Sequence, residues 1–212
     1  MTSLLTTLAT IVEWGLTVYE WMILAAIVLT WVNPDPRNPI VLFLNRMTQP
    51  VWNWLQVVLP PSLRLLSAYV SLLLVWFLRI FLPGTLQSLA RYNERMLGLG
   101  DLPGVIAGYF LLGLGIVAQS LLFFLMLVLV IWFVLTLVNP SINNPIVRML
   151  YVLVDPFISP IQRRLPRQRI DVSPLLAAGA FLLLNVLAVT PLIQMAVSLT
   201  LGGGPAPAPR TF

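Results

Sequence analysis

Cysteine and histidine are both absent from this chain of 212 residues. Without cysteine there is no disulfide, no thiol nucleophile and no thiolate metal ligand. Without histidine the commonest general base, the commonest metal ligand and the usual haem ligand are gone. Lysine is missing too, so all 12 basic residues are arginine. That excludes a Schiff base and a P-loop lysine. Charge of either sign is scarce: 9% of residues are charged, against roughly 25% in a soluble domain. Gly84, Gly98, Gly100, Gly113 and Gly115 form no phosphate-loop pattern. Nor is there a nucleophile beside a base, a carboxylate pair set for hydrolysis, or a metal cluster. The expectation is a protein that is not an enzyme and has no catalytic, cofactor-binding or metal-binding residues.

What the chain has instead is apolar sequence. Hydrophobic residues make up 59% of it, and the mean hydropathy is +0.94. A soluble fold would leave much of this surface in water, so lipid is the solvent it fits. The net charge is +5. The arginines flank apolar segments, which points to anionic headgroups and not to nucleic acid. The N-terminus has no basic n-region, and Glu13 and Glu20 interrupt its apolar run. It therefore reads as a retained first helix and not as a cleavable signal.

A bilayer crossing needs about 20 apolar residues. Four segments qualify. The first runs from about Ile11 to Val32. The second starts between Ser62 and Ser67 and ends near Leu82. The third lies within Val105–Val138. The fourth runs from Pro174 to about Leu192, with room to continue past Pro191. The third run, 34 residues, is long for one span. Gly113 and Gly115 suggest a surface or re-entrant piece first, then a span from about Val117. The polar stretch Pro83–Pro103 reads as the boundary between halves. The Gly/Pro/Ala-rich segment 202–212 reads as a disordered tail.

Between spans one and two, and again between three and four, lie about thirty residues studded with proline and arginine. From Ile146 to Val154 apolar residues recur at helical spacing, with Arg148, Asp155, Ser159 and Gln162 on one face. This predicts an amphipathic interfacial helix, interrupted at Pro156 and Pro160. Trp52 and Trp54 give the first linker an aromatic anchor. Asp155-Pro156 and Ser173-Pro174 each read as an N-cap followed by a first helical proline, and Asn139-Pro140 and Asn144-Pro145 fit the same use.

The two halves are copies. Shifted by 106 residues, Val28 to Ser67 aligns without gaps on Val134 to Ser173, with 16 identities in 40 positions. Shared hydrophobicity does not easily set Pro34, Pro39, Pro50 and Pro60 in register with Pro140, Pro145, Pro156 and Pro166. The predicted fold is an all-α membrane protein of about four transmembrane helices. It is built as two parallel two-helix repeats, with amphipathic interfacial helices between the helices of each. Residues 1–97 form the first repeat and 98–201 the second. Each copy holds an even number of spans, so both keep one orientation, unlike inverted-repeat transporters. Eight arginines lie in the linkers (Arg37, Arg46, Arg64, Arg148, Arg163, Arg164, Arg167, Arg169) and four on the other side. The positive-inside rule then makes the linkers cytoplasmic and both termini external.

Of the polar groups inside predicted spans, Glu20, Arg79 and Asn185 are the candidates. Intramembrane ionisable groups are functional candidates by default. Glu20 lies about 13 Å into the first span, and Glu13 shares its face. Under the repeat, Glu13 maps to Gln119, Glu20 to Met126 and Arg79 to Asn185. These groups suit either a polar seam for ions or protons, or charge pairing between helices. Arg163-Arg164 suits phosphate headgroups or a partner's acidic segment. Asp171 suits an ion pair with Arg167 or Arg169, or the holding of a proton. Gly113 and Gly115 suit close helix packing.

The second linker, Asp155-Pro156 through Pro160, Arg163-Arg164 and Pro166 to Asp171, Ser173 and Pro174, resembles the YggT/YlmG family of bacterial and plastid membrane proteins. The upstream Asn-Pro pairs also fit. The resemblance covers both halves, about 11–82 and 117–192, and is specific in the second. Asp155 stands where glutamate is usual, and the glycine usual before Ile170-Asp171 is missing. In the first half Thr48-Gln49-Pro50 lacks the acid, and Val57-Val58 replaces the arginine pair. The resemblance implies a bacterial inner-membrane protein. Relatives are linked to osmotic stress, to cell division or nucleoid distribution, and in plastids to cytochrome b maturation. The function expected is a scaffold or assembly factor that binds membrane lipids and other membrane proteins or a second copy of itself. The alternative is a small oligomeric channel or transporter in osmotic or ion balance.

Overall fold

The computed structural model describes residues 2–32, 35–93, 100–138, 145–164 and 171–201. All regular structure among them is helical. In chain order it comprises α1 (Thr2–Val32), α2 (Pro39–Val58), a 3-10 turn (Pro61–Leu66), α3 (Ser67–Asn93), α4 (Leu102–Val138) and α5 (Pro145–Gln162). Then α6 (Ser173–Leu184) continues through a π turn (Asn185–Val189) into α7 (Thr190–Thr200). Four stretches are long and apolar enough to cross a bilayer: Ser3–Thr30, Ser67–Tyr92, Leu102–Val138 and Ser173–Thr200. The shorter α2 and α5 lie between the members of each pair.

Several boundaries differ from the sequence reading. The first helix begins at Thr2 and not near Ile11. Its early hydroxyls do not stop it, because Thr6 and Thr10 donate to the carbonyls of Ser3 and Thr6 within the helix. The helix α3 runs through Pro83 to Asn93, so its end is not near Leu82 and the polar stretch is partly helical. In a chain meant for lipid, ending a helix early would strand its carbonyls.

The third run is one continuous helix of 37 residues, with no re-entrant piece. At 1.5 Å per residue it is about 55 Å long, well beyond a ~30 Å hydrocarbon core. Tilt, or extension past the core, takes up the surplus. Its glycines do not break it. Gly113 is buried, and a Cβ there would meet the Phe77 ring at 2.9 Å, so the residue serves close approach of α3.

Nor do Pro156 and Pro160 interrupt α5, and Asp155-Pro156 is helix interior and not a helix start. Each proline removes the amide that would meet the carbonyl four residues earlier. Those carbonyls belong to Val152 and Pro156, both on the exposed face, where outside partners can reach them. Pro50 sits at the matching place inside α2. The Asn-Pro start does hold in the first repeat: Asn38 caps α2, its Oδ1 accepting from the Ile40 amide at 2.9 Å, with Pro39 opening the helix. Asn139, Pro140, Asn144 and the tail 202–212 lie outside the described residues.

Packing divides the chain into two compact units, Met1–Val117 with Gln194–Phe212, and Ala118–Ile193. The first is centred on Ile23, Ile27 and Val75, with Leu16, Tyr19, Trp52, Ala68 and Leu72 against them. The helix α2 is tied into it by Tyr19, whose hydroxyl donates to the Met47 carbonyl at 3.1 Å, and by Trp52 Nε1, which donates to Ser71 Oγ at 3.0 Å. Within the same unit Phe77 and Phe81 stack face to face, Phe110 meets both edge to face, and Arg91 donates to the Tyr109 hydroxyl at 2.8 Å. Gly108 lies against the backbone of Ala196 and Thr200. The second unit is centred on Val128, Leu129, Val154, Ile158, Ala177 and Ala178. There Phe157 meets Phe181 edge to face at 5.1 Å.

Candidate functional site

The motif residues of the second repeat converge where α5 ends and α6 begins. Asp171 Oδ1 accepts from the Ser173 amide at 3.0 Å and also from the Ser173 hydroxyl. Its other oxygen accepts from Gln162 Nε2 at 2.5 Å. The N-cap position of α6 is Val172, whose side chain makes no cap bond, and not Ser173, which is the first helical residue, followed by Pro174; Asp171, one residue before the N-cap, meets the Ser173 amide instead. Ser173 and Pro174 are buried. Asp171 satisfies the helix end from one side and pins α5 from the other. Arg167 and Arg169, the ion-pair partners expected for Asp171, lie outside the described residues, as does Pro166.

The first repeat makes the simpler form of this clasp. Gln56 and Ser67 are the positions matching Gln162 and Ser173, and Gln56 Nε2 donates to Ser67 Oγ at 3.4 Å. Leu65 stands where Asp171 would be. Glutamine and serine are thus tied directly in the first copy, and in the second each is bonded to the Asp171 carboxylate set between them.

Asp155 is half-buried in α5. It lies one turn after Tyr151, whose phenol is held above its ordinary value of 10.0, first by the hydrogen bond to Asp155, then by that carboxylate's charge, then by desolvation. Pro156, Pro160, Arg163 and Arg164 are exposed. The two guanidinium groups follow α5 directly, in a position to meet anions outside the protein.

The intramembrane candidates separate into two places. Glu20 and Arg79 come together: Arg79 Nη1 donates to Glu20 Oε2 at 2.7 Å. Trp76 Nε1 donates to the other carboxylate oxygen at 2.6 Å. Trp76 went unnoticed in the sequence, although it lies three residues before Arg79 on the same helix face. Glu13, on the face of Glu20, is exposed. Asn185 is in the second unit, at the start of the π turn, where its Oδ1 accepts from Gln119 Nε2 at 3.5 Å and Thr190 Oγ1 at 3.3 Å. Among the described residues no three carboxylates gather as a metal site would require.

An all-helical chain with four candidate spans in tandem pairs, each pair bridged by an amphipathic helix, defines a class of integral membrane protein. The CCB3/YggT family matches residues 5–86 and 111–192, and the chain belongs to that family. The two matches are offset by 111 − 5 = 106 residues, the same shift that aligns the halves. Neither a curated protein nor a solved structure gives a match.

Proposed function

We propose that this protein is a non-enzymatic membrane scaffold or assembly factor that holds membrane proteins together through its helix faces and its proline- and arginine-rich linkers. The observation that carries this reading is the state of the first unit's intramembrane charges. Glu20 is engaged by Arg79 and Trp76 inside the helix pair. Such a pair ties α1 to α3, whereas a conducting path needs polar groups turned into a shared lumen. The surface of α2 supports the reading as well. Ile40, Phe43, Met47, Trp54 and Val58 are exposed, beside a polar arc of Arg46, Gln49, Asn53 and Gln56. A helix of that kind lies at a membrane surface and offers both lipid and partner contacts. Arg163 and Arg164 fit anionic headgroups or an acidic partner segment.

In this reading the protein sits in a bacterial inner membrane, with the linkers cytoplasmic and both termini outside, and it serves envelope, division or stress processes. Purification of the tagged full chain from native membranes in mild detergent is expected to recover a defined protein partner. Repeated recovery of the chain alone, together with ion or osmolyte flux in proteoliposomes that is lost on Glu20→Gln, would replace the scaffold by a channel.

A further inference from the structure

Asn185 is the position of the second repeat that matches Arg79 of the first. It is 3% exposed, and its Nδ2 has no hydrogen-bond partner. One end of the amide is met by Gln119 and Thr190, the other by no group among the described residues. Exchanging the amide's nitrogen and oxygen moves the unmet end from donor to acceptor but does not remove it. A buried amide end left unmet is costly, and a membrane interior has no bulk water to meet it. The place is also backbone-irregular. The amide of Thr190 bonds the Asn185 carbonyl, five residues back, and Pro191 follows directly. A π turn loosens the ladder where the proline ring would crowd the preceding turn. Such a turn leaves a main-chain carbonyl short of its usual amide.

The ligand that fits is small, neutral and able both to accept and to donate. In the first repeat Arg79 finds Glu20, but the position matching Glu20 is Met126, which packs with the apolar cluster of the second unit. Asn185 therefore has no carboxylate at the place of Glu20 to answer it, and its hydrogen-bond partners among the described residues, Gln119 and Thr190, are both neutral. Water needs two to four polar partners. The Asn185 amide, the Gln119 amide and the Thr190 hydroxyl provide them, with the loosened backbone alongside.

We propose that the Asn185–Gln119–Thr190 cluster is a hydration site that holds a bound water molecule inside the fourth span. This goes beyond the scaffold reading and does not depend on it. The first repeat closes the matching position with a charge pair, and the second closes it with a solvent molecule.

The test is solid-state NMR of the full ¹⁵N-labelled chain in phospholipid vesicles, with magnetisation transferred from water protons to side-chain amides. The Asn185 amide signal is expected to receive transfer from water. Asn185→Leu should remove that signal and identify it. If Asn185→Leu fails to accumulate, Thr190→Val, which keeps the amide, identifies the signal by its shift. An identified Asn185 amide with no transfer from water overturns the proposal. Transfer only from lipid acyl protons, or only from a differently labelled second copy, also overturns it, because the amide would then be met by lipid or by a neighbouring chain.

Discussion

Arg79 and Glu20 meet across α1 and α3 at 2.7 Å, each from the inner part of a candidate span. The two are unequal: the glutamate side chain is 12% exposed and the arginine 40%. Replacing Glu20 by leucine leaves a guanidinium alone within a span, and replacing Arg79 by leucine leaves a carboxylate alone. Breaking a fully buried pair costs about 3–5 kcal/mol. The partial exposure of Arg79 brings the expected loss down to roughly 1–3 kcal/mol per single variant. The double variant should recover most of it. Thermal unfolding in detergent over the four-member cycle reads the coupling directly. Equal losses that simply add would show that the pair does not tie the helices.

Two glycines should respond in opposite ways to alanine. At Gly108 a Cβ would meet the Thr200 backbone nitrogen at 2.8 Å and the Ala196 carbonyl at 3.0 Å. Backbone does not step aside, so Gly108→Ala is expected to destabilise by about 1–3 kcal/mol. At Gly15, within α1, nothing lies within 4 Å. There alanine gains helix propensity, and Gly15→Ala should raise stability by roughly 0.5–1 kcal/mol. Melting temperatures of the two variants, measured side by side in one detergent, check both signs.

Asp171 meets the first amide of α6 and holds Gln162. Asp171→Ala should lower stability by about 0.5–2 kcal/mol, the usual loss on removing a side-chain cap. Asp171→Asn keeps one acceptor oxygen and should lose less. Hydrogen exchange at the first amides of α6 gives the local readout. Faster exchange there in Asp171→Ala, with the α1 core unchanged, is the expected result.

The Tyr151 phenol titrates above 10.0 because Asp155 accepts its hydrogen bond and repels the phenolate. Folding here favours the protonated form, so any stability this contributes is complete below the unfolded value and fades as pH rises through the folded one. In Asp155→Asn the phenol should titrate lower, nearer its ordinary value. NMR titration of ring-labelled tyrosine in wild type and variant checks the shift. An unchanged titration would mean that Asp155 does not act on Tyr151.

Much of the architecture was legible because lipid imposes one strong rule, that apolar runs become helices. The repeat was legible because Pro39, Pro50 and Pro60 recur in register at Pro145, Pro156 and Pro166. The same prolines misled about continuity. A proline signals a helix end where its carbonyl partner would be stranded, but around Pro156 and Pro160 that carbonyl belongs to an exposed residue and the helix goes on. The Glu20–Arg79 pairing was visible only as two charges in apolar company, since the sequence sets no relative depth for two helices. Trp76, as the second donor to Glu20, follows only once that depth is known. The π turn at Asn185 gave no local signal apart from Pro191 behind it.

Compactness does not follow the copies. The family matches end at 86 and begin again at 111, yet the first compact unit takes in the start of α4 up to Val117 and the end of the fourth span from Gln194. Phe110 and Tyr109 complete an aromatic face begun on α3, and Ala196 and Thr200 close against Gly108. What was duplicated and what folds together are out of phase. A half cut at the genetic seam would carry its own family signature and still be missing part of its own interior.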